Sequence, residues 1–197
     1  MLARWHEILT LPGVGVTYSL RFLAGVGQLL IQPVAPLFIQ SLMAPGSGVG
    51  TVTGVIAGLA SAASIGCALL VSRLSDRVGA RRVLRLSLLG AGLFYLPQAF
   101  VTGVWQLVIL QTLMGAALGG VTPTLSALLG RYAEAGEEGA IYGLDNSISS
   151  AARAAAPMLG AGIAVWFDLR AAFAASGLIF LLATVLASVG LPGRKQA

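Results

Sequence analysis

Residues 51–71 read TVTGVIAGLASAASIGCALLV, a run of twenty-one residues without a charged side chain. At ~1.5 Å of helical rise per residue, such a run extends about 30 Å, which is the thickness of the hydrocarbon core of a bilayer. Because backbone polar groups find no water there, they must bond to one another within a helix. The run therefore predicts a transmembrane helix.

Five further runs have comparable length and composition. Together with 51–71 they predict six spans, the other five lying at about 14–40, 83–101, 105–129, 140–166 and 171–191. The overall composition agrees, because 57% of the 197 residues are hydrophobic, 10% are charged and the mean hydropathy is +0.89. A soluble domain could not bury so much apolar surface. We predict an all-α membrane protein whose residues 1–197 form a single six-helix bundle in contact with lipid.

Positive side chains lie mostly on one side of the predicted spans. If the spans alternate in direction, one side carries a group of nine positive residues and the other side carries only Arg170. The group consists of Arg4, Arg73, Arg77, Arg81, Arg82, Arg85, Arg131, Arg194 and Lys195. The positive-inside rule assigns that side and both termini to the cytoplasm. The predominance of Arg over Lys and the abundance of Ala and Gly are typical of GC-rich bacterial genomes, so we expect a multi-pass protein of the inner (plasma) membrane.

Several other kinds of chemistry are poorly supported by the residues. The net charge of +5 sits in short clusters between apolar runs and is not interleaved with aromatic residues, which argues against nucleic-acid binding. His6 and Cys67 are the sole histidine and cysteine, so a disulfide is impossible and a metal site or nucleophile–histidine pair is not expected. The sequence has no phosphate-binding loop for ATP. We predict no enzymatic activity and no cofactor.

Small residues and prolines punctuate the spans. Gly54, Gly58, Ala62 and Gly66 recur every four residues on one face of the second span, which predicts ordinary close helix packing. Prolines free a backbone carbonyl and permit a bend, and five of them lie inside spans: Pro33, Pro36, Pro97, Pro123 and Pro157. Trp residues near span ends predict interfacial anchors, at Trp5, Trp105 and Trp166.

Arg153 lies deep inside the fifth predicted span. It is roughly 20 Å into that helix, where an isolated arginine costs ~2.5–3.5 kcal/mol. Ser149 precedes it by four residues and Asp145 by eight, so the three share a helix face, with Asn146 and Ser150 beside it. This face predicts either a central cavity, with Arg153 contacting an anion or pairing across it, or an internal hydrogen-bond network that only holds helices together. Asp145, nearer the cytoplasmic end, is expected to be solvated or to cap a helix.

The first span carries a second polar face. Arg21, Gln28 and Gln32 are spaced at i, i+7 and i+11. Arg21 is only about 10 Å into the helix, so we expect it to extend to the cytoplasmic surface. Gln28 and Gln32 lie deeper and are candidate cavity residues.

Residues 72–82, between the second and third spans, are predicted to form a charged loop. Residues 72–84 read SRLSDRVGARRVL, in which Asp76 can cap a helix or pair with Arg77, Arg81 or Arg82, and Gly79 permits a tight turn. This segment resembles the signature loop of the major facilitator superfamily, with Ser72 and Ala80 as departures from the pattern. The resemblance implies that this cluster is a cytoplasmic gate that latches two helices and releases them as the protein rocks.

Other features of the chain resemble the same superfamily, and especially its multidrug-efflux branch, in the order in which they occur along the sequence. They are Gln28 with Pro36-Leu37, Trp105 to Gln111 with Gly115 and Pro123, and Gly143, Asn146, Pro157, Gly160 and the turn 167–173. Family members have about twelve helices, so the resemblance implies a C-terminal six-helix half built from two inverted three-helix repeats.

The function implied by the resemblance is secondary transport of small molecules by alternating access, in particular export of drugs and amphipathic compounds by antiport, with Asp145 as a possible coupling acid. Such a half would need an N-terminal six-helix half or a second copy of itself. Two alternatives stay open. The chain could be a truncated or split remnant that does not transport alone, or a non-transporting membrane scaffold or intramembrane enzyme.

Overall fold

The computed structural model describes residues 13–44, 47–132 and 138–191, and these residues form eight α-helices. In chain order they are α1 (Val14–Leu29), α2 (Ala35–Ser41), α3 (Val49–Val78), α4 (Ala80–Gln98), α5 (Val104–Leu118), α6 (Val121–Gly130), α7 (Glu138–Trp166) and α8 (Leu169–Gly190). The prediction of an all-α protein is confirmed.

Four helical stretches of the described residues are long and apolar enough to cross a membrane: Val49–Ser75, Val104–Gly130, Gly139–Trp166 and Leu169–Gly190. They correspond to the second, fourth, fifth and sixth predicted spans. The third, α4, is 19 residues long and carries three arginines in its first two turns. The first is interrupted between Leu29 and Ala35, so that Pro33 lies in the break and Pro36 lies in the first turn of α2. The count of six spans stays a prediction.

The segment predicted as a charged loop at 72–82 is almost wholly helical. Helix α3 continues to Val78, and α4 begins at Ala80, with Gly79 alone between them. Gly79 has φ of 96°, a conformation that residues with a Cβ rarely adopt, so a glycine makes this one-residue turn possible. The prediction was wrong about the loop because charged side chains end an apolar run without ending a helix.

Helix α8 lies at the centre of the packing and contacts both α4 and α1. Helix α5 joins α4 to α3, and α1 joins α8 to α7, so α3 and α7 are the outer helices on the two sides. Large aromatic side chains fill the core: the rings of Tyr95 and Phe180 stack with centroids 5.5 Å apart, and those of Phe38 and Phe173 are 4.9 Å apart.

Glycines in the last turn of α5 and just after it bring this helix very close to α3. A Cβ added to Gly115 or Gly119 would collide with the backbone of Ala60 or Ser64, respectively. The predicted small-residue face of α3 is a different one. A Cβ at Gly54, Gly58 or Gly66 would meet no described atom within 4 Å. Therefore this face, defined here as the open face of α3, takes no part in the close packing between the described helices.

Candidate functional site

A cavity of about 550 Å³ lies between α1, the α5–α6 junction and α7. Its wall combines charged and polar side chains with apolar ones, and it is lined by Arg21, Ala24, Gly25, Gln28, Leu29, Gln32, Leu118, Val121, Thr122, Leu125, Ser149 and Arg153. Its volume lies within the range of sites for small organic molecules. A recess with both polar and apolar walls can accommodate a small amphipathic molecule.

Four of the six residues predicted for a cavity line this one: Gln28, Gln32, Ser149 and Arg153. Gln32 follows the end of α1, in the break before α2, and lines the same wall as Gln28. Asn146 and Ser150 are exposed on α7 and are not among the lining residues. Each follows a residue of the cavity-side stripe by one position, which turns it by about 100° around the helix.

Arg21 bonds across the helices to Asp145. Its Nη2 donates to Oδ2 at 3.1 Å, and its Nε lies 3.1 Å from Oδ1 and donates to Ser149 Oγ at 3.2 Å. The two charged side chains are only 20% and 11% exposed. The expectations that Arg21 extends to the cytoplasmic surface and that Asp145 is solvated or caps a helix were therefore wrong. A partner within reach on α7 satisfies the guanidinium better than a stretched side chain could.

A small apolar cluster lies one helical turn beyond this ion pair. It joins α1, α6 and α7 through the buried side chains of Val14, Tyr18, Leu129, Ile141 and Leu144. The Tyr18 hydroxyl donates to the carbonyl oxygen of Ile141 at 3.0 Å, which is a further link between α1 and α7. At this end, therefore, the helices around the cavity meet in apolar contact, and the Arg21–Asp145 pair lies between the cluster and the cavity.

Sequence reasoning missed two parts of the cavity wall. Thr122 is exposed and follows the break at Gly119 and Gly120, where α5 gives way to α6. The paired glycines before Pro123 were the available signal for that break. Gly25 lies where α1 approaches α7: a Cβ there would be 2.9 Å from the Cβ of Ala152. A close approach of this kind leaves no mark in the sequence of either helix by itself.

The signature motif lies where α3 turns into α4. Arg77 and Arg82 are exposed, and the Nη2 of Arg81 donates to the carbonyl oxygen of Ser188 near the end of α8 at 3.2 Å. Asp76 belongs to the last turn of α3, and its side chain lies outside the described part of the structure. The residue at the N-cap of α4 is Gly79. The latch between Asp76 and the arginines stays a prediction.

The chain belongs to the Major Facilitator Superfamily, whose sequence pattern matches residues 17–197. The match covers every described helix except the first three residues of α1. Together with the apolar helices, it makes this an integral, multi-pass membrane protein of a transporter family.

Curated relatives of similar sequence are named for multidrug resistance. The chain is 28% identical over 167 residues to "Multidrug resistance protein MdtG" of Salmonella heidelberg (strain SL476), a match that covers 85% of this chain and 41% of that protein. It is 30% identical over 155 residues to the protein of the same name from Serratia proteamaculans (strain 568), covering 79% and 38%. The chain thus spans about two fifths of the length of the curated relatives it matches.

Proposed function

We propose that this chain forms one half of a secondary transporter of the bacterial inner membrane that exports small amphipathic molecules, drugs among them, by alternating access. The observation that carries the proposal is the polar cavity between α1, the α5–α6 junction and α7. It lies in a chain of transporter ancestry whose relatives are named for multidrug resistance.

The proposed half has six spans in two inverted three-helix repeats, with both ends of the chain in the cytoplasm. In this arrangement α1 and α2 together form the first span, and α5 and α6 form the fourth. Breaks in these two spans support the proposal, because Gln32 and Thr122 reach the cavity at or just after them. Irregular backbone inside a membrane is tolerated where it lines a cavity.

The rest of the pathway would come from helices outside these 197 residues, either an N-terminal half or a second copy. The open face of α3 supports such a partner, because its small residues would let another helix approach closely in lipid. The matched relatives are more than twice as long as the aligned segment, which is consistent with a further helical half.

Cytoplasmic gating would use the one-residue turn at Gly79 with Asp76, Arg77, Arg81 and Arg82. Proton coupling would use Asp145. Loss of the negative charge of Asp145 on protonation would release Arg21 toward the cavity, and the 3.1 Å contacts between them support this coupling. Asp145→Asn should then abolish pH-driven export against a gradient and leave downhill exchange in place. An unchanged response to the pH gradient would contradict the role of Asp145.

The test of transport is dye export from cells that lack their major efflux systems. Cells should produce this chain alone, or this chain with an N-terminal six-helix half of the matched relatives. We expect export of amphipathic dyes only in the second case. Export by the chain alone, from a complex of twice its mass, would identify a self-paired dimer. No export in either case, with the chain present in the membrane, would leave a remnant or a non-transporting scaffold.

A further inference from the structure

We infer that the cavity recognises amphipathic molecules with an anionic headgroup, and that Arg153 is the residue that binds this headgroup. The inference rests on the proposed function, because it specifies the substrate class of the same cavity. It begins from the charge balance of the cavity wall.

Two arginines line the cavity, and their surroundings differ. Arg21 is neutralised by Asp145, with which it makes two contacts of 3.1 Å. For Arg153, the structure shows neither a hydrogen bond nor an ion pair with any residue in the ranges 13–44, 47–132 and 138–191. It is exposed on α7 and lies one turn beyond Ser149 on the cavity-lining side. The wall therefore carries one uncompensated positive charge.

A guanidinium at membrane depth is costly unless a counter-ion or water satisfies it. Its planar pair of N–H donors matches a carboxylate, phosphate or sulfonate, which can accept two hydrogen bonds at once. The apolar side chains of Leu29, Leu118, Val121 and Leu125 line the same cavity. They offer a place for the apolar body of a ligand whose acidic group contacts Arg153.

Neutral polar groups complete the wall. Gln28, Gln32 and Thr122 can donate or accept hydrogen bonds without adding charge. A cationic headgroup would find no unpaired acid in the described wall, since Asp145 is occupied by Arg21. An anion is thus the ligand for which both the charge and the polar groups of the cavity are suited.

An anionic molecule can reach Arg153 as a soluble compound or as a phospholipid whose phosphate enters the cavity. The shared chemistry is an acidic group beside an apolar body. The experiment therefore needs a soluble probe in a bilayer of zwitterionic lipid. It also needs a separate measurement of retained lipid.

The experiment uses the 197-residue chain in phosphatidylcholine nanodiscs. The probes are carboxyfluorescein, an anion, and rhodamine 123, a cation with the same ring system. Fluorescence polarisation gives the Kd of each dye for the wild type, Arg153→Gln and Arg153→Lys. Arg73→Gln is the matched control, because it removes an equal charge from an exposed position that does not line the cavity. Circular dichroism checks that each variant is folded.

We expect the wild type to bind carboxyfluorescein more tightly than rhodamine 123. Arg153→Gln should weaken binding of the anion at least tenfold and leave that of the cation unchanged or tighter. Arg153→Lys should keep the preference for the anion but bind it more weakly than the wild type, because lysine retains the charge without the planar pair of donors. Arg73→Gln should match the wild type. Equal anion binding by wild type and Arg153→Gln would overturn the inference, as would a wild type that binds no anion.

Native mass spectrometry separates the two sources of the anion. A phospholipid that stays bound to the wild type and is lost from Arg153→Gln would assign the site to a lipid and overturn the assignment to a soluble substrate. The cellular assay keeps this inference distinct from the transport proposal. Export of an anionic dye that does not respond to Arg153→Gln would leave transport standing and reject the anion site. Binding that depends on Arg153 without any export would support the anion site and reject the transport proposal.

Discussion

The ion pair between Arg21 and Asp145 should be a main link between α1 and α7, and a double-mutant cycle measures its strength. Arg21→Met keeps the unbranched apolar part of the side chain without its charge, and Asp145→Leu keeps the approximate shape of the carboxylate. Because Arg21 is 20% and Asp145 11% exposed, each variant leaves a largely buried charge without its partner.

The two single variants should differ in cost. Asp145 is the less exposed partner, so Arg21→Met should cost about 3 kcal/mol of unfolding free energy. Asp145→Leu should cost about 2 kcal/mol, because the longer arginine can turn toward the cavity. Both values are at or below the low end of the cost of removing one partner from a buried ion pair, since this pair borders a cavity. The double variant should also cost only about 2 kcal/mol, which corresponds to a coupling of ~3 kcal/mol.

The assay is unfolding of the purified chain by sodium dodecyl sulfate in mixed micelles, followed by circular dichroism. Arg73→Gln is the control, since a change at an exposed position outside the ion pair should stay within about 0.5 kcal/mol of the wild type. Additive effects, in which the double variant loses about 5 kcal/mol, would refute the reasoning. They would mean that the two side chains act independently despite their contacts.

Three further changes, one of them with a matched control, probe the packing and the turns by the same assay. Gly115→Ala should lower the free energy of unfolding by about 1–3 kcal/mol, because its methyl group would collide with the backbone of α3. Its control is Gly58→Ala on the open face, which should be neutral within about 0.5 kcal/mol. Equal effects of the two variants would contradict the described packing of α5 against α3. Gly79→Ala should cost about 1–3 kcal/mol because φ there is 96°, and no loss would show that the turn relaxes freely. Arg170→Gln should cost about 1–3 kcal/mol, since its Nη1 donates to a carbonyl oxygen at the end of α4 at 2.8 Å, and wild-type stability would reject that link.

The sequence was sufficient to predict the features that depend on a single helix. The uncharged run 51–71 lies within α3, and the four-residue spacing of Ser149 and Arg153 predicted their shared face on the cavity. Helical periodicity is a local property, so it is readable without neighbours.

The sequence was not sufficient to predict contacts between segments that are distant along the chain. Arg21 and Asp145 are 124 residues apart, and only the packing of α1 against α7 makes them partners. The open face of α3 and its packed face both consist of small residues, and the choice between them depends on where α5 lies. Pro33 by itself does not predict the break between α1 and α2, because Pro157 lies within α7 without ending that helix.

Alternating access requires that water reach the polar cavity while the chain is in the membrane, and cysteine labelling tests this most directly. Replacing the single Cys67 by serine gives a cysteine-free background, into which Gln28→Cys or Leu182→Cys is introduced. Leu182 is 63% exposed on α8 and does not line the cavity. In native membranes, a charged maleimide that cannot enter lipid should label Cys at position 28 readily and at position 182 hardly at all. Equal protection of both positions would contradict the account.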